Sequence, residues 1–376
     1  MKRDLLYSIL GSILIAHLFE IFCVADWGHY QRLHIMISPD SNYFPTYREL
    51  EFNTRKYKGS QSTLISGGSS FSAGAGVTQD KLWSSILKSK LGKDYNVLNY
   101  AARGGAGQEF GFIAASILHQ SGDDFVYLFD SPPYYPAYSS TRWSYSLLNA
   151  CLKNPDIIGA SNCWSVIKKH VKQDLSSSLK FFLDFAYPNQ TFWNWVSYSV
   201  FQFNYHRYIT SEKLFSARQR YGVIENDSGL GLCEKQHGEA YYKGEVQIVS
   251  GYSRLCPWAG SELVDGVALG KSASDFFSLQ SDGFWKKTLI VYSQAPAVFY
   301  ENVPEDEIDR QEQCWGAMTS TSESYGAKAL HISPEKWSSC DMADRTHMAN
   351  PGSEKYADWI LKNIELNKAE RKRMTE

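Results

Sequence analysis

The chain has 376 residues, of which 43% are apolar and 15% aromatic, and its formal net charge is −2. That is ample for a buried core, either one large domain or one domain with a sizeable insertion, and the near-neutral balance leaves no electrostatic footprint for nucleic acid. The one basic run, Lys368 to Arg373, sits at the C-terminus and reads as a solvated helix end.

Met1-Lys2-Arg3-Asp4 and then Leu5 to Ala25 form a basic head followed by a mostly apolar stretch. The uninterrupted part, Leu5 to Ala16, is short for a membrane span, and His17 and Glu20 interrupt the remainder of the stretch. A cleaved signal peptide ending at Cys23-Val24-Ala25 and an uncleaved anchor over residues 1–25 both fit. The anchor is preferred, because its length matches a bilayer and Lys2 and Arg3 favour a cytoplasmic N-terminus. Either way the rest of the chain is expected outside the cytoplasm, ahead of the alternative of a buried N-terminal helix. Residues 26–60 are polar and aromatic and read as a connector that packs on the domain.

From Thr63 the pattern becomes regular. Strand Thr63–Ile65, helix Gln79–Leu91, strand Asn96–Asn99, helix Gln108–His119 and strand Phe125–Phe129 alternate as in a parallel sheet with helices on both faces. The alternation resumes with strand Lys287–Ser293, a helix opening at Pro304-Glu305-Asp306-Glu307, strand Ala327–Ile332 and a last helix, Ser353–Leu366. The expected fold is therefore α/β, a three-layer sandwich formed by residues 61–131 and 285–366, with a charged tail at 367–376. Residues 132–284 do not fit a short crossover. They read as a partly helical insertion, rich in aromatics between Phe181 and Tyr208, lying over the C-terminal edge of the sheet where ligands bind in such folds. Its rings serve equally well as that subdomain's own core.

Seven cysteines occur, six of them beyond the apolar segment: Cys151, Cys163, Cys233, Cys256, Cys314 and Cys340. They suit an oxidising compartment, and neighbours in sequence give the simplest pairing: Cys151–Cys163, Cys233–Cys256 and Cys314–Cys340. No Cys-x-x-Cys spacing points to zinc, and no cofactor is expected. Asn189-Gln190-Thr191 and Asn226-Asp227-Ser228 are glycosylation sequons, meaningful only in a eukaryotic source.

The stretch that carries chemistry is Ser66-Gly67-Gly68-Ser69-Ser70-Phe71-Ser72-Ala73-Gly74-Ala75-Gly76-Val77. A serine on a Gly-rich turn after a strand is held clear of the sheet, with backbone N–H groups nearby to receive negative charge. It is not a Walker loop, since no lysine follows Gly76, and it lacks the third glycine of a dinucleotide fingerprint. At the far end, Asp344-Arg345-Thr346-His347 precedes Pro351-Gly352 and the last helix. An Asp three residues before a His can fix the imidazole tautomer and leave the other ring nitrogen to take the serine proton. Ser70 is the expected nucleophile, with Ser69 its nearest competitor and Ser72 a distant one. His347 is the expected base and Asp344 its orienter, with Asp341 the control.

Three blocks in order resemble the SGNH (GDSL-type) hydrolases: Gly68-Ser69-Ser70-Phe71-Ser72-Ala73-Gly74-Ala75-Gly76-Val77, then Asn99-Tyr100-Ala101-Ala102-Arg103-Gly104, then Asp344-x-x-His347. The resemblance spans the chain from about Thr63 to Ile364. It implies an SGNH or flavodoxin-like sandwich, an acyl-serine mechanism, and an oxyanion hole made by the Ser70 and Gly104 N–H groups. Two departures stand out: Ser69 occupies the place of the family's first aspartate, and no asparagine follows strand Phe125–Phe129, so either Ser131 or another side chain substitutes as oxyanion donor, or the enzyme is slow or inactive. Arg103, beside Gly104, is either an anion ligand or a solvated charge. The resemblance implies an exported serine esterase acting on acyl esters, acetyl foremost, of a small molecule or a cell-surface glycan, with the membrane a partner through the N-terminal segment. A polysaccharide O-acetyltransferase of the same fold, and an inactive scaffold binding glycan or a membrane partner, are the alternatives.

Overall fold

The computed structural model describes residues 47–55, 62–101, 110–130, 150–166, 229–234, 276–300, 304–344 and 347–375, apart from positions 75, 94, 152, 294 and 295, together with 7, 8, 11, 12, 15 and 147. In chain order the elements are α1 (Tyr47–Arg55), β1 (Ser62–Gly67), α2 (Ser70–Ala73), α3 (Trp83–Leu91), β2 (Tyr95–Asn99), α4 (Phe110–Gln120), β3 (Phe125–Phe129), α5 (Asp282–Trp285), β4 (Thr288–Ser293), α6 (Glu305–Ser324), β5 (Lys328–Ile332) and α7 (Asn350–Thr375).

All five strands are parallel, in the order β2-β1-β3-β4-β5. This is the order of flavodoxin-like doubly wound sheets, in which the direction of winding reverses between β1 and β3. The central strands read as unbroken apolar runs because both of their faces are covered. Successive residues then alternate between two cores. Ile65, Tyr127, Phe129, Ile290 and Tyr292 face α1, α4 and Trp315 of α6. Leu64, Val126, Leu128, Leu289 and Val291 face α3 and α7. Helices on both faces of one parallel sheet make three layers, as the alternating pattern predicts.

The elements fall within a few residues of their expected positions, with two differences. The segment read as helix Gln79–Leu91 is a 3₁₀ turn at Gln79–Lys81 followed by α3, and the first helix after β1 is the four-residue α2. The last helix begins at Asn350 and runs through the charged tail to Thr375, since Lys, Glu and Arg are good helix formers.

Between adjacent strands β3 and β4 lie residues 130–287. The ends of this interval join the main core: Cys151, Ile157 and Cys163 on one side, and Phe276, Phe277, Phe284 and Trp285 on the other, pack with Phe112 of α4. Phe112 stacks on Trp285 at 6.1 Å and meets Phe284 edge-on at 5.4 Å. In the stretch read as a connector, α1 also packs here through Tyr47 and Leu50. The aromatic patch at 181–208 and both sequons lie outside the described residues, as does residue range 1–25 apart from five positions.

Cys151 bonds Cys163, as neighbour pairing predicts. The other two neighbour pairings are corrected: Cys233 bonds Cys340, so neither Cys233–Cys256 nor Cys314–Cys340 forms. Residues 229–234 return to the loop ahead of α7 and bring Cys233 within 5.1 Å, Cα to Cα, of a cysteine 107 positions away. Proximity in sequence carries no information about such a return.

Candidate active site

Ser70 lies just beyond the C-terminal end of β1, at the reversal point of the sheet, and is the first residue of α2. Ser69 caps this helix, its hydroxyl accepting from the Phe71 N–H at 3.2 Å. Four residues are too few for a self-sustaining helix, and α2 is held from both ends. At its start, the Asp130 carboxylate accepts the Ser69 N–H at 2.7 Å, the Ser69 hydroxyl at 2.8 Å and the Ser72 N–H at 2.9 Å. At its end, the Ser72 carbonyl accepts from the Trp83 indole at 2.7 Å and the Asn99 side-chain amide at 2.8 Å. Asn99 terminates β2 and also accepts the Ala101 N–H. Phe71 buries its ring edge-on between Trp337 and Tyr356. The Ser70 side chain is thereby turned away from the core.

The partner loop closes on itself. Met342 and Met348 form an antiparallel bridge, and the His347 carbonyl accepts the Ala343 N–H at 2.8 Å. Within it, one Asp344 oxygen accepts the His347 backbone N–H at 2.8 Å and the other lies 2.6 Å from His347 Nδ1. An ionised carboxylate only accepts, so Nδ1 carries the proton and Nε2 is left as the acceptor. Ser70 Oγ lies 2.8 Å from Nε2 and donates to it. Ser70, His347 and Asp344 thus form one continuous hydrogen-bonded chain, with the His347 and Asp344 side chains 27% and 25% exposed. The side chains of this chain are partly exposed to solvent.

Set against known proteins, the chain matches no family model and no curated relative.

The competitors are occupied elsewhere. Ser69 is spent on Asp130 and the helix cap, and the Ser72 hydroxyl is fully buried. Asp341 accepts the Ser338 N–H at 2.7 Å and the Lys355 ammonium at 2.8 Å. Burial alone would raise its pKa, but those donors together hold it below the ordinary carboxylate range. Gly104, Ser131 and Arg103 lie outside the described residues.

Two features escape a reading by motif. Asp130 is one: burial raises its pKa, opposed by the donors on Ser69 and Ser72. Its place directly after a central strand beside β1 is the only sequence clue. The second is the strap 229–234. The Gly229 N–H donates to the Gly76 carbonyl at 2.9 Å, the Asn350 N–H donates to the Gly229 carbonyl at 3.1 Å, and the Leu232 N–H is shared between the Ser339 and Met342 carbonyls. With the Cys233–Cys340 bond, this segment fastens the Ser70 loop to the His347 loop. Gly76 adopts a φ of +87°, and a Cβ there would meet the Met348 carbonyl and the Ala343 methyl at 2.9 Å, so the two loops touch backbone to backbone. Among the described residues no group of three His, Cys, Asp or Glu side chains is placed to hold a metal ion, and no helix is long and apolar enough to cross a membrane.

Proposed function

We propose that the chain is an exported serine ester hydrolase of the SGNH type that cleaves acyl esters through an acyl-serine intermediate. The observation that carries this reading is the unbroken Ser70–His347–Asp344 chain at the C-terminal edge of the sheet. His347 Nε2 takes the Ser70 proton as Oγ attacks the ester carbonyl. The tetrahedral oxyanion forms beside the Ser70 N–H, with Gly104 and Ser131 as the further proposed donors. The imidazolium, steadied by the Asp344 carboxylate, returns its proton to the departing alcohol, and water then repeats the sequence on the acyl-enzyme. Asp130-Ser131 follows β3 where the resemblance places an asparagine, and because one oxyanion donor is worth roughly two to three orders of magnitude in rate, the proposed rate depends on Ser131 filling that place.

Convergence of the three side chains supports an enzyme over an inactive scaffold. Residues 132–284 are proposed to act as an insertion that shapes the acyl and alcohol pockets, and residues 1–25 to direct export and tether the protein. The strap at 229–234 supports the first point, because it bonds to the loops that carry Ser70 and His347. Acetyl esters, including those on glycans, are the proposed substrates.

The test is hydrolysis of p-nitrophenyl acetate by the full chain, compared with Ser70→Ala and Ser69→Ala, with intact-mass detection of an acyl adduct. Turnover abolished in Ser70→Ala and only reduced in Ser69→Ala is expected. Equal rates in all three proteins and no adduct would refute the proposal.

A further inference from the structure

We propose that Asp130 is a positioning residue that holds the nucleophile turn in its reactive geometry, acting through Ser69 and Ser72 rather than on the substrate. The inference rests on the esterase reading and adds to the triad a group for which neither the motif nor the Asp-His spacing gives a role.

The geometry is specific. Asp130 follows β3, which pairs with β1 as far as Gly67 opposite Phe129. Its two oxygens reach across that pair of strand ends and take three donors of one turn, the N–H of Ser69, the hydroxyl of Ser69 and the N–H of Ser72. Ser70 lies between the two gripped residues. Gly68 makes the approach possible: a Cβ at this residue, whose φ is +111°, would lie 1.9 Å from Asp130 Oδ1. The serine at 69, where the resemblance places an aspartate, fits the same arrangement. A second carboxylate there would face Asp130, whereas a hydroxyl donates to it.

The chemistry also requires a carboxylate rather than its amide. Ser69 N–H addresses one oxygen, and Ser72 N–H and Ser69 Oγ address the other. An asparagine offers one oxygen and one NH₂, so in either orientation its NH₂ opposes a backbone N–H. The turn must then rotate or slide, carrying Ser70 Oγ away from Nε2. A displacement of about 1 Å in a reacting group costs on the order of 10²-fold.

The experiment measures kcat and KM for p-nitrophenyl acetate in full-chain wild type, Asp130→Asn, Asp130→Ala and Ser69→Ala. Each protein is also checked by thermal melting, and the ¹⁵N shift of His347 Nε2 is recorded. Asp130→Asn is expected to lower kcat by about 10²-fold with KM within about threefold, the signature of an interaction that matters in the transition state. Ser69→Ala, which removes one of three contacts, is expected to fall about tenfold. The Nε2 shift in Asp130→Asn should move toward that of Ser70→Ala. A folded Asp130→Asn protein with kcat within threefold of wild type and an unmoved Nε2 shift would overturn the proposal. If wild type itself does not turn over, the esterase reading fails, and the Nε2 shift alone decides the positioning role: moved by Asp130→Asn, it stands; unmoved, it falls.

Discussion

Replacing Asp344 by Asn keeps the shape of the side chain and removes one acceptor, which isolates what the carboxylate does. In the native arrangement its two oxygens accept from the His347 backbone N–H and from Nδ1. If the Asn oxygen keeps the backbone N–H, its NH₂ faces Nδ1, which must shed its proton and accept. The ring proton moves to Nε2 and points at Ser70 Oγ, so no base remains. In the flipped orientation the oxygen serves Nδ1, but the NH₂ opposes the backbone N–H, at a cost of about 1–3 kcal/mol, or roughly 5- to 150-fold in the competent population. That orientation also lacks the negative charge beside the imidazolium, worth about another 1.5–3 kcal/mol as a charge-assisted hydrogen bond. Together these predict a loss of about 10² to 10⁴ in kcat, the upper end matching the effect of this change in Ser-His-Asp triads generally. The assay is kcat for p-nitrophenyl acetate at neutral pH with burst titration to count active sites, and a melt to establish folding. A folded Asp344→Asn protein within tenfold of wild type would refute the relay reasoning, since neither orientation of the amide permits it.

Three further outcomes are expected from the contacts around the site. Gly76→Ala should cost about 1–3 kcal/mol in urea unfolding and depress turnover, because a side chain at φ +87° must push the histidine loop away; wild-type stability and rate would argue against backbone contact between the loops. Non-reducing peptide mapping should recover Cys151–Cys163 and Cys233–Cys340. Replacing the second pair with Ser should destabilise more than replacing the first, up to about 5 against about 3 kcal/mol in the chain-entropy limit, given separations of 107 and 12 residues; the reverse ranking would contradict that account. Asp341→Asn should lower the melting temperature by the equivalent of about 1 kcal/mol at neutral pH, a modest figure because Lys355 is well exposed. The Asp341 pKa is depressed in the fold, so its stabilisation is present above the unfolded carboxylate value and is lost as pH falls through the folded one. The two melting curves should therefore converge below about pH 4; a gap unchanged down to pH 2 would rule out the ion pair as its source.

What the sequence discloses depends on how local the determining contacts are. The runs at Thr63–Ile65, Phe125–Phe129 and Thr288–Ser293 are legible as strands because both faces of each are buried. His347 and Asp344 are legible as a pair because they are three positions apart and their contact lies within one loop. The grip of Asp130 on Ser69 spans 61 residues, and nothing distinguishes this aspartate locally from any other at a strand end. Helix α2 is equally hidden, since a four-residue Ser-Phe-Ser-Ala segment has no periodicity to detect and is held by Asp130, Asn99 and Trp83 from elsewhere. The Cys233–Cys340 bond depends on the return of the strap to the histidine loop, which no local pattern encodes. Local rules recover elements; they do not recover the segments that fold back on them.

Ser70 and His347, hydrogen-bonded to each other, are 277 positions apart. During synthesis β1, β2 and β3 with α3 and α4 emerge first and pair with one another, so the nucleophile turn can be gripped by Asp130 while most of the chain is still to come. His347, Asp344 and α7 follow every strand of the sheet in the sequence. A chain ending before Met342 contains every residue of the Asp130 grip on the Ser70 turn and no imidazole to stand beside Ser70 Oγ.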